Sequence, residues 1–339
     1  MIRQYWDQAK SRLSDVQLPQ ISKPFDFTSD LKVFEQFSVL SSLDQHLVLT
    51  SIKANQSTMM VDDCLSLDLP SHLIGDSGVE NTDEVAQIIL DLMEVMGLSS
   101  SPILLLLSSS KFSHCSFLVD EISSWDLNDP KLRAKSPFLA DQTLIDFYPD
   151  DELFAQDHRT RGVDYASSYL IHSWINTLQI VGQPVLGISP MYTGIMTWAL
   201  NSVNSLKNTV FCDVEPNCCN LLLKSSVSEF RSFQLPFGSA LYAGQSNRLF
   251  DQFLKRLQSG LDVIMEDQSF KGGFQYVISG YGLGDFSSSP LSNWGSWSLL
   301  TSQISKKYQI SNKLRPDELS LHQHLIPQLI VGLFAYLES

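Results

Sequence analysis

Three glycines at alternate positions, Gly280, Gly282 and Gly284, follow the apolar run Val277-Ile-Ser and give the chain a segment whose backbone a ligand could approach closely. Without Cβ atoms, such a loop can lie against a ring or a ribose. The same pattern also serves as a tight turn after a buried strand, and it lacks the G-x-G-x-x-G spacing and downstream acid of a dinucleotide site. Both readings stay open. Asp213, in Phe211-Cys-Asp-Val-Glu-Pro216, ends an extended stretch, where a carboxylate either holds a cation or caps a turn.

Other combinations carry less chemistry. His322 and His324 sit two apart in a helical pattern, so their side chains diverge and do not share a metal. Asp150-Asp151-Glu152 reads as a solvated run of acids rather than a catalytic pair. Trp294 and Trp297, beside Ser287-Ser-Ser-Pro290, either form an aromatic lip or pack beneath a loop. Cys218 and Cys219 read as small apolar strand residues facing opposite sides. Phosphate-loop, zinc-protease and hydrolase-elbow motifs are all missing.

The elements that must position these residues come from a chain of 339 residues, 43% hydrophobic, long enough for two domains. Five cysteines without C-x-x-C spacing suggest a reducing compartment rather than disulfides or zinc. A net charge of −14 opposes nucleic-acid backbones. No signal-peptide order opens the sequence and no apolar run is long enough to span a bilayer, so a soluble, cytoplasmic protein is expected.

Residues 1–16 place Ile2, Tyr5, Trp6, Ala9 and Leu13 on one helical face, and Pro19 and Pro24 mark a linker after it. Three strands follow: Phe37 to Leu43, Gln45 to Lys53 and Thr58 to Leu69. A helix from Asp83 to Met96, capped by Thr82 and stopped by Gly97, leads to an apolar strand, Ile103 to Leu107. Beyond it the spacing predicts a strand at Ser113 to Asp120, a helix at Pro130 to Leu139 and a strand at Leu144 to Phe147. A helix at Tyr165 to Val181, a strand at Val185 to Ile188 and a helix opening at Ser189-Pro190 come next. Three more strands (Thr209 to Val214, Cys218 to Lys224, Val227 to Leu235) then precede a helix at Leu249 to Leu261. A strand at Phe274 to Ser279 and helices at Trp297 to Lys307 and Asp317 to Leu337 complete the chain.

The order strand, strand, strand, helix, strand, helix thus occurs twice, the plan of the actin, Hsp70 and hexokinase group: an α/β, duplicated actin-like (ribonuclease H-like) two-domain fold with an inserted subdomain. The expected division is 1–34 helix and linker, 35–100 first domain, 101–188 inserted subdomain, 189–206 return helix of the first domain, and 207–339 second domain.

Within that group the chain resembles the PilM family, the actin-like cytoplasmic component of the type IV pilus inner-membrane platform, and more distantly FtsA. The likeness rests on Phe211-Cys-Asp-Val-Glu-Pro-Asn-Cys-Cys-Asn-Leu-Leu-Leu, on Arg231-Ser-Phe-Gln-Leu-Pro-Phe-Gly238, and on Val277-Ile-Ser-Gly-Tyr-Gly-Leu-Gly284. Ile103 to Phe117 and Val181 to Pro190 are similar to the segments leaving and re-entering the first domain. The resemblance implies two phosphate hairpins, each with an acid and close-approach glycines, and a cofactor of ATP with magnesium. It makes Asp213, Gly280, Gly282 and Gly284 the cofactor-binding candidates, with no catalytic residue and no dedicated metal ligand.

The chain departs from that pattern. In the first hairpin, Val39 to Asp44, Leu40 stands where the acid is expected and Ser42 where the glycine is. In the second, Asp213 is followed by Glu215, which repels phosphate, and Pro216, which has no N–H. Binding of ATP is therefore expected to be weak or absent and turnover negligible, a pseudo-ATPase. The resemblance then implies a cytoplasmic scaffold, peripheral to the inner membrane, taking the tail of a PilN-like single-span membrane protein in a groove that includes Ser108 to Phe117. The alternatives are an active ATPase or phosphotransferase of the same fold, and a membrane-surface adaptor outside any pilus system.

Overall fold

A computed structural model describes residues 36–55, 58–98, 100–122, 126–139, 142–148, 160–192, 194, 208–224, 230–241, 247–266, 274–281, 283, 297–300, 308–314, 325–327 and 329–330. The expected N-terminal helix and linker, His322, His324, Asp150 to Glu152, Trp294, Gly282 and Gly284 lie outside them.

The expected meander is present as β1 (Gln36–Leu43), β2 (His46–Asn55) and β3 (Thr58–Asp68), antiparallel and in continuous register apart from a bulge at Ser51/Ile52. A two-residue hairpin, β4 (Ile74–Gly75) with β5 (Gly78–Val79), leads to helix α1 (Thr82–Val95). Its cap is Asn81, one residue before the expected Thr82; the Asn81 side chain accepts from the Glu84 N–H. Gly97, at φ 68°, follows the helix end. β6 (Ile103–Leu107) then runs parallel to β1.

The inserted sheet is β7 (Phe112–Leu118), β8 (Thr143–Tyr148) and β9 (Thr160–Ser167), with β9 central and antiparallel to both neighbours. Helix α2 (Pro130–Arg133) is shorter than the expected helix to Leu139. The sequence pattern also assigns Tyr165 to a helix, whereas residues 165–167 finish β9. Two ladders hold them extended, and the Tyr165 hydroxyl donates to the Leu132 carbonyl at 2.7 Å. Helix α3 (Ser168–Val181) begins after them and ends at Gly182, at φ 74°.

The span 101–188 is wider than the insertion itself. β6 and β10 (Val185–Pro190) are neighbours in the first sheet, and α3 packs with α1 on that sheet. Ser189 and Pro190 end β10, paired with Leu106 and Leu107, and the helical residues expected there begin at Met191. Proline is tolerated there because β10 is an edge strand.

In the second half, β11 (Asn208–Val214), β12 (Cys219–Lys224) and β13 (Phe230–Leu235) form the returning meander. Helix α4 (Asn247–Glu266) and β14 (Phe274–Gly280), parallel to β11, follow. β15 (Trp297–Leu299) pairs with β14 where a helix was expected from Trp297 onward. The two sheets read β10-β6-β1-β2-β3 and β15-β14-β11-β12-β13, the same topology twice. One strand breaks the symmetry: β16 (Tyr308–Ile310) crosses back to lie parallel to β3 on the edge of the first sheet.

Alternation sorts the core into layers. Leu40, Leu47, Leu49, Ile103, Leu105 and Leu107 face α1 and α3, with Trp174 buried among them. Phe37, Val39, Val48, Leu104 and Leu106 face the second half, meeting Phe211, Leu222 and Val277 and the helical residues Leu325 and Ile326. The far face of the second sheet is covered by α4 through Phe253, Leu257 and Leu261. β6 is thus apolar on both faces, as its unbroken Ile-Leu-Leu-Leu-Leu run requires.

Candidate functional site

The turns following β1, β6, β11 and β14 meet between the halves, where Ser108 reaches Glu215, Asn217 reaches Asp44 and Tyr281 reaches His46, the place where open α/β sheets hold ligands. β11 and β12 are joined by Glu215-Pro216-Asn217-Cys218, a turn closed by the Glu215 N–H donating to the Cys218 carbonyl at 2.9 Å. The turn is braced from beneath. Ser239 N–H donates to Glu215 O and Ala240 N–H to Pro216 O, each at 2.8 Å. Gly238 lies so close that a Cβ there would overlap both carbonyl oxygens.

This bracing aims the Glu215 side chain across to the end of β6. Its carboxylate accepts from the Ser109 N–H at 2.8 Å, from the Ser108 hydroxyl at 2.7 Å, from the Ser109 hydroxyl, and from the Asn220 amide at 3.0 Å. All four groups are buried, Glu215 at 1% exposure. Gln234 fixes the far side of the cradle, donating to the Ser109 carbonyl at 3.0 Å and to Asn220 Oδ1 at 3.2 Å. Around the rim, the Asn217 amide donates to Asp44 in the β1–β2 turn. Lys111 stands 3.5 Å from the same carboxylate. Tyr281 OH meets His46 Nε2 at 3.2 Å, while His46 Nδ1 meets Asp68 at 2.6 Å.

Two carboxyl groups two residues apart in a dry site cannot both ionise cheaply. Burial pushes the Asp213 carboxyl well above the carboxylate range, and the neighbouring Glu215 charge pushes it further. Asp213 Oδ1 accepts from the Ser279 hydroxyl at 3.3 Å, while Oδ2 has no partner among the described residues. Burial also raises Glu215, to about 7, against the lowering effect of the Ser108 and Ser109 hydrogen bonds. The Cys218 thiol is held protonated, first by burial and then by Glu215 and Asp213.

Among the sequence candidates, Asp213 therefore lies at the convergence but inside the protein, 2% exposed. Gly280 has φ 135°, and a Cβ on it would overlap the Val214 carbonyl. Its lack of a side chain serves this approach of backbone to backbone, sealed by Tyr281 N–H to Val214 O at 2.8 Å. Leu40 is not at the cleft position: it faces α1 and α3, and Ser41, one residue before the last β1–β6 pair, matches Asp213, one residue before the last β11–β14 pair. A hydroxyl thus stands where an acid was sought. Sequence reasoning weighed Glu215 only as a repellent of phosphate and missed Ser108, Ser109, Asn220 and Gln234 as its partners. The only local signal was the run Ser108-Ser-Ser-Lys111 directly after a buried strand.

The cradle residues do not fit a phosphate as they stand. The donors that would hold one are engaged by an internal carboxylate, Pro216 offers no N–H, and Asp213 is a buried acid that burial shifts toward its protonated form. Among the described residues no group of His, Cys, Asp and Glu is placed to hold a metal ion. No described helix is long and apolar enough to cross a membrane.

No family model matches the chain, and no curated protein does. Solved structures do. The chain is similar to a structure described as a PilM-PilN type IV pilus biogenesis complex, with a TM-score of 0.59 and 14% identity over 89% of this chain and 97% of that one. It also matches a Bacteroides thetaiotaomicron protein with an actin-like ATPase fold and unknown function (TM-score 0.48, 6% identity, 89% and 98% covered). A third match is the cytoplasmic domain of EpsL of the Vibrio cholerae type II secretion system (TM-score 0.45, 11% identity, 88% and 95% covered). The fold is the actin-like one, and the likeness to PilM extends over nearly the whole of that chain.

Proposed function

We propose that this protein is a cytoplasmic scaffold of a type IV pilus assembly platform, peripheral to the inner membrane, that binds the N-terminal tail of a PilN-like single-span membrane protein. It binds nucleotide weakly or not at all. The observation that carries the scaffold reading over the ATPase reading is the Glu215 carboxylate seated on the Ser109 N–H and the Ser108 and Ser109 hydroxyls. A negative group already holding those donors opposes a triphosphate by charge and by volume. Support for the partner comes from the fold likeness to the protein of a PilM-PilN complex.

The segment that lines the docking groove is Ser108 to Phe117. Ser108 and Ser109 are turned toward Glu215, and from Phe112 the chain becomes β7, an outer strand of the inserted sheet with Leu118 exposed. An extended tail adds to such a strand through main-chain hydrogen bonds and seats alternate side chains in pockets. Ordering a disordered tail leaves an affinity of about micromolar. The net charge of −14 favours tails with Lys or Arg, whose binding weakens as salt rises.

Two titrations test this. With ATP and magnesium the intact protein is expected to give no saturable signal and no phosphate release; hydrolysis that disappears on Asp213→Ala overturns the scaffold reading in favour of the ATPase. With a fluorescent PilN-type tail peptide, saturable binding is expected, weakened at least severalfold by Leu118→Glu. Absence of tail binding sinks the platform reading, and liposome flotation in the absence of a partner then points to the membrane-surface adaptor.

A further inference from the structure

We infer that Glu215 is the resident ligand of an oxyanion cradle, and that its carboxylate latches the two halves of the molecule together while keeping small carboxylates and phosphates out. The cradle has its donors on both sides of the junction. Ser108 and Ser109 belong to the end of β6 in the first half, and Asn220 to β12 in the second. Glu215 itself comes from the second half, so its bonds to the serines are cross-links between halves separated by 106 and 107 residues of chain. A carboxylate accepting from one backbone N–H, two hydroxyls and one amide has the coordination that a free oxyanion would be given.

The geometry marks this as a built arrangement. The turn carrying Glu215 is pinned by Ser239 and Ala240, the approach beneath it is open only because residue 238 is glycine, and Gln234 locks Asn220 and the Ser109 carbonyl from the side. Ser108, Ser109 and Asn220, which hold the carboxylate, are all buried, which raises the cost of leaving any of them unpaired. The chain's own carboxylate thus occupies the donors at this junction, and an anion gains access to them only where Glu215 is withdrawn.

The inference does not depend on which partner the protein docks, and its test has a separate readout. The full chain carrying Glu215→Ala is titrated with inorganic phosphate and, in parallel, with acetate, against chloride at equal ionic strength. Wild type is expected to show no saturable binding. The variant is expected to bind one anion with a dissociation constant of about 1 mM, as suits a small ion held by a few hydrogen bonds. Adding Ser109→Ala is expected to abolish the gain. Phosphate binding by wild type as tight as by the variant, no gain in Glu215→Ala, or a gain insensitive to Ser109→Ala overturns the inference. Glu215→Gln, which preserves volume, covers the case in which Glu215→Ala does not fold. By hydrogen exchange the Ser109 amide is expected to open about tenfold faster in Glu215→Gln than in wild type, with the β6 amides unchanged. An unchanged Ser109 rate also overturns the latch.

Discussion

Replacing Glu215 by glutamine removes one titrating proton from the junction between the halves and leaves the side chain's volume in place. In the folded protein, burial raises this carboxyl from its ordinary 4.5 to about 7. The folded chain therefore holds the proton more tightly than the unfolded chain. Its contribution to stability is fully present below 4.5 and is lost as the pH rises through about 7, above which the dependence flattens. At about 1.4 kcal/mol per pH unit, the displacement corresponds to about 3 kcal/mol, of which about 2 falls between pH 5.5 and 7. Among the groups facing Glu215, burial raises the Asp213 carboxyl, the Cys218 thiol is held neutral by burial, and the Asp44 charge adds to the upward displacement of Glu215. Urea unfolding of wild type and Glu215→Gln at half-unit steps from pH 5.5 to 8 gives the difference in unfolding free energy at each pH. Titrations of groups that do not feel Glu215 cancel in that difference; Asp213, relieved of the Glu215 charge in the variant, is the exception. The difference is expected to move against wild type by about 2 kcal/mol up to pH 7 and then level off. A difference that is constant across the range, or that rises with pH, refutes the assignment of a raised Glu215.

Gly238→Ala is expected to cost about 2 kcal/mol, since its Cβ overlaps the backbone oxygens of Glu215 and Pro216, and to loosen the Ser109 amide in hydrogen exchange as Glu215→Gln does. Gly280→Ala places a side chain at φ 135° against the Val214 carbonyl, so a loss of more than about 2 kcal/mol in chemical unfolding is expected. Tyr281→Phe removes the hydroxyl that meets His46 across the junction and is expected to cost about 1 kcal/mol with an unchanged denaturant slope. Trp174→Ala empties a site buried between α3 and the first sheet, and a loss of about 3–5 kcal/mol is expected in the same assay.

Much of this architecture was legible because periodicity reports burial. Val85, Ile89 and Met93 announced α1, and Leu170, Ile171, Trp174 and Leu178 announced α3, because each face had one apolar sheet to meet. The repeated strand order led to the duplicated fold for the same reason. Errors fell where tertiary pairing outweighed local preference. Tyr165 fits a helical stripe but is held in a strand by two neighbours, and Trp297 to Leu299 extend only because β14 offers an edge. β16 has three residues and no pattern of its own; what makes it a strand is β3, far away in sequence.

The candidate site divides in the same way. Asp213 and Gly280 could be placed at strand ends from the sequence because residue type and strand position carry meaning locally. The bonds of Glu215 to Ser108 and Ser109 were not found, since a hydrogen bond between residues 106 and 107 apart leaves no spacing to read. The resemblance placed the acid position at Leu40, one residue off, because a hairpin without the expected glycine does not fix which residue of β1 pairs last with β6.

The crossing of β16 sets a condition on how the molecule is made. Tyr308, Gln309 and Ile310 supply the outermost strand beside Met59, Met60 and Val61, and Lys313 just beyond them pairs with Asp62 at 3.2 Å. During synthesis the first sheet emerges early, yet its β3 edge stays bare until roughly 250 more residues have left the ribosome, a wait of tens of seconds at ordinary rates. An uncovered strand edge through that interval is a template for pairing with a neighbouring chain. Asp62 lies on that strand, joined to Lys53 of β2 at 2.7 Å, and charge on the bare strand discourages intermolecular sheet growth until the chain's own last strand arrives.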